Sequence, residues 1–478
     1  MNQRDGSRFW IAPAIWAAVI TVLLTAGLAR LSWPFVDLYN NFYKATSMSW
    51  RQTLGYAFGG GLEYRPLLII GVKLAHQLVG LRVWFYQALV VFQFAAILAA
   101  LLWIFQPVSR KRAVAASIAL ACVVGLHTSR VLFMFAPLNA HAFGVVLLLA
   151  AIALALSPSS GVTDWLFLPL TLFALLLLES GGLIVAVTLV LWRMRAPGAT
   201  GRAVLATLLA TAVYLAVRFG LGVQEATSTY TETGLGFDDV SAARLAEIFG
   251  SAPWLLWVYN VVASILTVAA SEPRAGKYLF VQSLLHGHVP FWMYVHVVSS
   301  VVTTGLVVYA WSTSRIADAR DRCIAAAGLT VVILGSALGF LYTRDRIALS
   351  AGIGYAMLVY VAVGAVLEGR PDGRPLPNQV AAPRRGAGRV LASAAVALIT
   401  VGWVIRTGEC YLQLRDAAWE NYQEWTTRYE ALGGYTRPQT DVLSMLRTGA
   451  LAHVPDDPRR DPAWTYTLFE REYERVPD

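Results

Sequence analysis

Four groups of residues have the types and spacing to do chemistry. Asp37 sits in Trp33-Pro34-Phe35-Val36-Asp37-Leu38-Tyr39-Asn40-Asn41, a carboxylate among rings and amides. Partial desolvation there raises its basicity, and a positioned base can take a proton from an incoming nucleophile. Its other ordinary use is to cap a helix beginning near Leu38. Tyr64-Arg65-Pro66-Leu67 places a cation at a helix start, where backbone N–H groups also favour an anion. Lys73 and His76 follow about two and three turns on, and either line the same groove or, for Lys73, snorkel to an interface. Glu179 ends a leucine run and is followed by Ser180-Gly181-Gly182. A carboxylate at that depth marks a site or forms an ion pair, with His127 and Arg130 as candidate partners. Arg344 and Arg346 flank Asp345 between two apolar stretches, a spacing suited to bidentate contact with a phosphate or pyrophosphate.

These groups need positioning, and the composition says by what. Over 478 residues the chain is 57% hydrophobic and 14% charged, with a mean hydropathy of +0.56. That balance reads as an integral membrane protein. Apolar stretches approach the roughly 20 residues needed to cross the bilayer as a helix, and they lack the alternation of barrel strands. The fold class expected is therefore all-α and polytopic. Spans read near 9–31, 83–106, 113–129, 138–157, 164–179, 182–193, 203–223, 292–313, 323–341, 347–367 and 389–406, roughly eleven. The first is longer than a secretory h-region and reads as an uncleaved span. The net charge of +9 comes from arginines in loops between apolar stretches, so nucleic acid is not an expected partner. Three scattered cysteines give neither a disulfide framework nor a metal set, and His286 and His288 lack further ligands nearby.

Loop charge sets the orientation. Arg4 with Arg8, Arg110-Lys111-Arg112, Arg193 with Arg195 and Arg202, Arg315 with Arg320 and Arg322, and the arginines of 370–389 belong on the cytoplasmic side. The opposite face then holds the loop 32–82, the turn at Glu179, the segment 224–291, the turn 342–346 and the C-terminal segment. Residues 66–80 carry Lys73, His76 and Gln77 on what reads as the wet face of an interfacial helix. Residues 254–291 read as re-entrant or surface-lying, because one more crossing would misplace Arg315 to Arg322. The chain divides into a transmembrane part, 1–406, and an extracytoplasmic appendage, 407–478, that is expected to dock over the first loop. The setting is a bacterial inner or plasma membrane, with the N-terminus cytoplasmic.

The order of these features resembles the GT-C type of integral membrane glycosyltransferases. It is closest to the branch with a Tyr-Arg-Pro-Leu element that includes transmembrane O-mannosyltransferases and, more distantly, the lipid A aminoarabinose transferase. The resemblance runs through Asp37, Tyr64-Arg65-Pro66-Leu67, Gly80, Glu179, Gly181, Arg344 and Arg346, over about residues 9–367. It differs in carrying Asp37 alone where relatives have paired acids, Leu178 where they have Lys, and His127-Thr128 where they have His-Pro. The resemblance implies a GT-C-like helical bundle and inverting transfer of a sugar from a polyprenyl-phosphate donor to a glycan, lipid or protein acceptor. Asp37 would be the base, and Tyr64, Arg65, Lys73, His76, Glu179, Arg344 and Arg346 would be the substrate-binding set. Whether a divalent cation joins the first-loop acid stays open. Two other functions compete: transport or flipping of lipid-linked sugars without catalysis, which predicts inverted repeats that the sequence does not display, and an inactive assembly partner.

Overall fold

A computed structural model describes residues 7–28, 47–58, 65–80, 82–129, 140–220, 254–273, 278–313, 318–340, 348–369 and 393–412, together with scattered shorter stretches. Each apolar stretch predicted above falls on helix: α1 (Ile11–Leu28), α4 (Val83–Phe105), α5 (Arg110–Gly125), α6 (Ala140–Ala155), α8 (Phe167–Leu177), α9 (Gly182–Arg193), α10 (Gly201–Gly220), α13 (Phe291–Ser312), α14 (Ala319–Ala337), α15 (Leu349–Glu368) and α16 (Ser393–Leu412). Between them lie α2 (Trp50–Phe58), α3 (Pro66–Val79), α7 (Gly161–Trp165), α11 (Trp254–Ala270) and α12 (Leu279–Leu285). A minimal antiparallel pair joins Gly234–Leu235 to Asp238–Asp239.

Among the described residues five helices are long and apolar enough to cross a membrane: Trp84–Phe105, Gly201–Gly220, Phe291–Ser312, Leu349–Glu368 and Ser393–Leu412. The protein is an integral membrane protein. The roughly eleven spans read from the sequence include α8 and α9, which have only 11 and 12 residues. At about 1.5 Å per residue, neither approaches the ~30 Å of hydrocarbon alone. They form a helical pair closed by a short 3-10 turn, Glu179–Gly181. The turn admits nothing larger than glycine at 181, where a Cβ would lie 2.5 Å from the backbone of Ala174 and Leu175. The last span runs six residues past its expected end at 406, through Leu412.

Helix α15 is the axis of the bundle. It is buried along almost its whole length and touches α5, α13 and α14. Lipid gives helices no hydrophobic drive to associate, so close backbone approach and dispersion must hold them together. Small residues supply that approach. A Cβ at Gly354 would sit 2.6 Å from the Gly328 carbonyl of α14, and one at Gly352 would sit 2.6 Å from Thr128 Oγ1.

Contacts sort the helix ends into two groups. At one end gather the starts of α5 and α14 and the ends of α4, α6 and α15, joined through Arg112, Arg320 and Glu368. The loop 194–200 joins them, because Gly198 packs against the carbonyls of Leu154 and Ser157. This is where the basic loops meet. At the other end lie the close of α5, the start of α15, the turn at Glu179 and the last turn of α10.

Helix α11 does not run from one end to the other. Asn260 Nδ2 donates to the Phe340 carbonyl just past α14, and Thr304, more than halfway along α13, donates to the Ala269 carbonyl near the close of α11. The chain then returns. Glu272 accepts from the Phe280 backbone, Phe280 meets Tyr294 edge to face, and Ser283 of α12 reaches Met293 in the first turn of α13. The α11 to α12 hairpin therefore enters and leaves at the same end of the bundle.

Candidate functional site

Of the predicted site residues, Arg65, Lys73, His76 and Glu179 lie on described elements. Asp37, Tyr64, Arg344, Arg346 and the segment beyond Arg415 lie outside the described residues, as does Arg130.

Helix α3 starts at Pro66, whose fixed φ and missing N–H suit the first helical position, with Arg65 as its N-cap residue. It lies antiparallel to α2: Trp50 Nε1 donates to Gln77 Oε1 at 3.0 Å, and Lys73 Nζ donates to the Met48 carbonyl. Here the structure corrects the expected wet face. Lys73 is buried and also lies 5.5 Å from the Trp50 ring, while Leu74 and Leu78 are exposed. Lys73 is spent on docking α2, Gln77 stays exposed while bonding Trp50, and Leu74 and Leu78 share the open side of the helix. The reason is electrostatic. An ammonium held near lipid needs acceptors, and a carbonyl and an indole face on the neighbouring helix supply them.

The same antiparallel pairing brings the close of α2 beside the start of α3. Phe58, the last residue of α2, packs with Leu172 and Leu176 against Leu175 and Tyr214. Directly beside that cluster, Glu179 Oε1 and Arg218 Nη1 are 3.5 Å apart, and Arg218 Nη1 donates to the Tyr214 hydroxyl at 2.6 Å. The ring of Phe219 lies 5.8 Å from the same guanidinium. Glu179 thus pairs with Arg218, not with His127; the latter is buried in the turn after α5. The packing of Phe58 sets the close of α2 against the Glu179 end of α8 and α10. The side chains of the Glu179–Arg218 pair are 37% and 22% exposed, and 3.5 Å is long for a hydrogen bond. An anion can approach such a pair, and both a cation and a phenol are there to receive it.

Sequence reasoning missed Arg218 and Tyr214. Both sit inside an apolar stretch and were absorbed into the span. The available signal was spacing: a tyrosine and an arginine four apart share one helix face, at the end of the helix opposite Arg202 and the basic loop before it.

It also missed Arg406. This guanidinium is fully buried, lies 4.1 Å from the Trp403 ring, and is saturated with neutral acceptors. Nε donates to the Gly125 carbonyl at 3.0 Å, Nη1 to Ser300 Oγ at 2.8 Å and Ser299 Oγ at 3.1 Å, and Nη2 to Ser271 Oγ at 2.9 Å. One side chain thereby ties α16 to α5, α13 and the tip of the α11 hairpin. One turn further along α13 and α16, the buried His296 bonds Glu409. An ionisable group within a span is a signal in itself, but Arg406 had been taken as the last residue of its span.

Among the described residues no group of three or more His, Cys, Asp or Glu side chains is arranged to hold a metal ion. Compared with models of known protein families and with curated protein sequences, the chain matches none.

Proposed function

We propose that the protein is a GT-C-like membrane glycosyltransferase that moves a sugar from a polyprenyl-phosphate donor to an acceptor on the extracytoplasmic face. The observation that carries this reading is the packing of Phe58, at the close of α2, on the Leu175–Tyr214 cluster beside Glu179 and Arg218. Those groups face away from the basic loops, at the end that loop charge assigns to the exterior. In this reading the helical hairpin α8–α9 and the longer helices together supply the roughly eleven membrane passages.

Arg65 and Arg218 neutralise the donor phosphate as the glycosidic bond breaks, since charge-assisted bonds strengthen as negative charge gathers on the leaving group. Glu179 holds Arg218 at the right height. Asp37 takes the acceptor proton from the opposite side of the sugar carbon, which inverts its configuration, and Arg344 with Arg346 completes the phosphate cradle. The N-terminus is cytoplasmic and the C-terminal segment extracytoplasmic.

The test is turnover of a polyprenyl-phosphate sugar by the full chain in nanodiscs. Asp37→Asn preserves size and should lower turnover by about 10²–10⁴-fold with donor binding retained. Full activity in Asp37→Asn would remove the base, and no consumption of any polyprenyl-phosphate sugar by the wild type would remove the reaction.

A further inference from the structure

A second site opens on the surface of α4, α6 and α8, with its mouth at the end where the basic loops gather. Helices α4, α6 and α8 enclose a groove of about 710 Å³. Its concavity comes from small side chains, Ala99 on α4 and Ala150 and Ala153 on α6, flanked by the large rings of Trp103 and Phe173. Trp103 and Phe173 are exposed, so the groove opens sideways, out of the bundle. Slots of this shape and polarity take a hydrocarbon chain, because methylenes against Ala and ring faces gain dispersion contacts that a mobile bilayer does not hold in place.

What covers the groove is indicated by the charge at its rim. Its lining runs out at Leu154 and Ser157, the last residues on the α6 side. Gly198 is clamped onto these residues: its N–H donates to the Ala155 carbonyl at 2.9 Å, and a Cβ there would lie 2.1 Å from the Leu154 carbonyl. That contact fixes the loop carrying Arg193, Arg195 and Arg202 beside the groove mouth, and all three arginines are exposed. Arg202 extends over Gly161, between Ser157 and Leu166, which both line the groove. Arg320 is already committed there, donating to the carbonyls of Ile104 and Leu156. An apolar slot whose end abuts a loop bearing three exposed arginines matches a ligand with one long chain and an anionic head.

We propose that this groove is a binding site for an anionic phospholipid of the adjoining leaflet, with one acyl chain between Ala99, Ala150 and Phe173 and the phosphate on the arginine loop 193–202. The site is independent of the proposed reaction. Its lipid sits at the opposite end from Glu179 and Arg218, and it braces two helices, α6 and α8, that lead into the Glu179 turn.

The experiment is native mass spectrometry of the full chain released from micelles, titrated with phosphatidylglycerol and with phosphatidylcholine of the same acyl chains. Wild type should retain one phosphatidylglycerol at least about tenfold more tightly than phosphatidylcholine, with each arginine near the surface worth about fivefold. The triple variant Arg193→Gln, Arg195→Gln and Arg202→Gln should bring the two lipids to equal affinity. Ala150→Trp should weaken both alike, and Ala99→Trp, at an exposed position, should do the same should the first fail to fold. Equal affinity of the two lipids for wild type would overturn the proposal, as would retention unchanged by a tryptophan that leaves the thermal transition intact. Displacement of phosphatidylglycerol by an equimolar polyprenyl phosphate would reassign the groove to the donor's tail.

Discussion

The two ends of the bundle handle charge in opposite ways. At the basic-loop end, Arg112 donates to both Asp321 and Glu368, the latter at 2.9 Å from Nε, and Ser109 steadies the same Glu368 carboxylate at 3.1 Å. The side chains of Arg112 and Asp321 are only 10% and 8% exposed. At the Glu179 end the equivalent pair is at 3.5 Å and open to its surroundings. Charges that are buried and paired hold elements together, since losing one partner strands the other in a low dielectric. A pair that is long and half-exposed contributes little to stability. The contrast separates residues that hold the fold from residues that remain available to a ligand, although both look alike in the sequence.

The contrast can be broken by substitution. Arg112→Ala should give the largest loss, about 3–5 kcal/mol, because Asp321 is left buried without the guanidinium it is hydrogen-bonded to. Thermal unfolding in detergent reads this out. A loss under about 1 kcal/mol would mean that the basic-loop end is no more structural than the other. Gly354→Val comes next. Its methyl groups meet the Gly328 carbonyl, and overpacking of that kind costs about 1–3 kcal/mol or more. The same unfolding measurement checks it, and an unchanged midpoint would show that α14 and α15 are not pressed together. Glu179→Gln should cost the least, within about 1 kcal/mol, the range of exposed ion pairs. A large drop in its melting temperature would class Glu179 with Asp321 as structural.

Much of the fold was legible in the sequence and less of the site. Apolar stretches identify helices whatever their depth, so each predicted stretch met a helix with its bounds off by a few residues. Their number of crossings was less legible. Hydropathy reports environment and not path: α11 satisfies it while turning back at Ser271, and it is loop charge that gives the re-entrant or surface-lying reading of 254–291. Glu179 was legible because a carboxylate after four leucines needs a reason. Its partner was not, because Arg218 follows Tyr214 in the second half of a helix that is mostly apolar there. The face of α3 was misread for a related reason. Lys73 is polar in sequence and buried in space, and only the neighbouring helix, with the Met48 carbonyl and the Trp50 ring, decides between the two. Arg112 and Arg320, which the loops need for orientation, turned out to hold helix ends as well; Arg320 binds the last carbonyls of two different helices.

The central claim is that the Glu179 end receives an anionic, lipid-linked phosphate while the Arg112 end serves the fold. It is tested most directly by the affinity of the full chain in nanodiscs for a polyprenyl phosphate and for the uncharged polyprenol, in wild type and in Arg218→Gln. The account predicts tighter binding of the phosphate by wild type, a loss of about tenfold in Arg218→Gln, the scale of one charge-assisted hydrogen bond, and no change for the alcohol. Equal binding of phosphate and alcohol, or phosphate affinity untouched in Arg218→Gln while its melting temperature falls as far as that of Arg112→Ala, would contradict it.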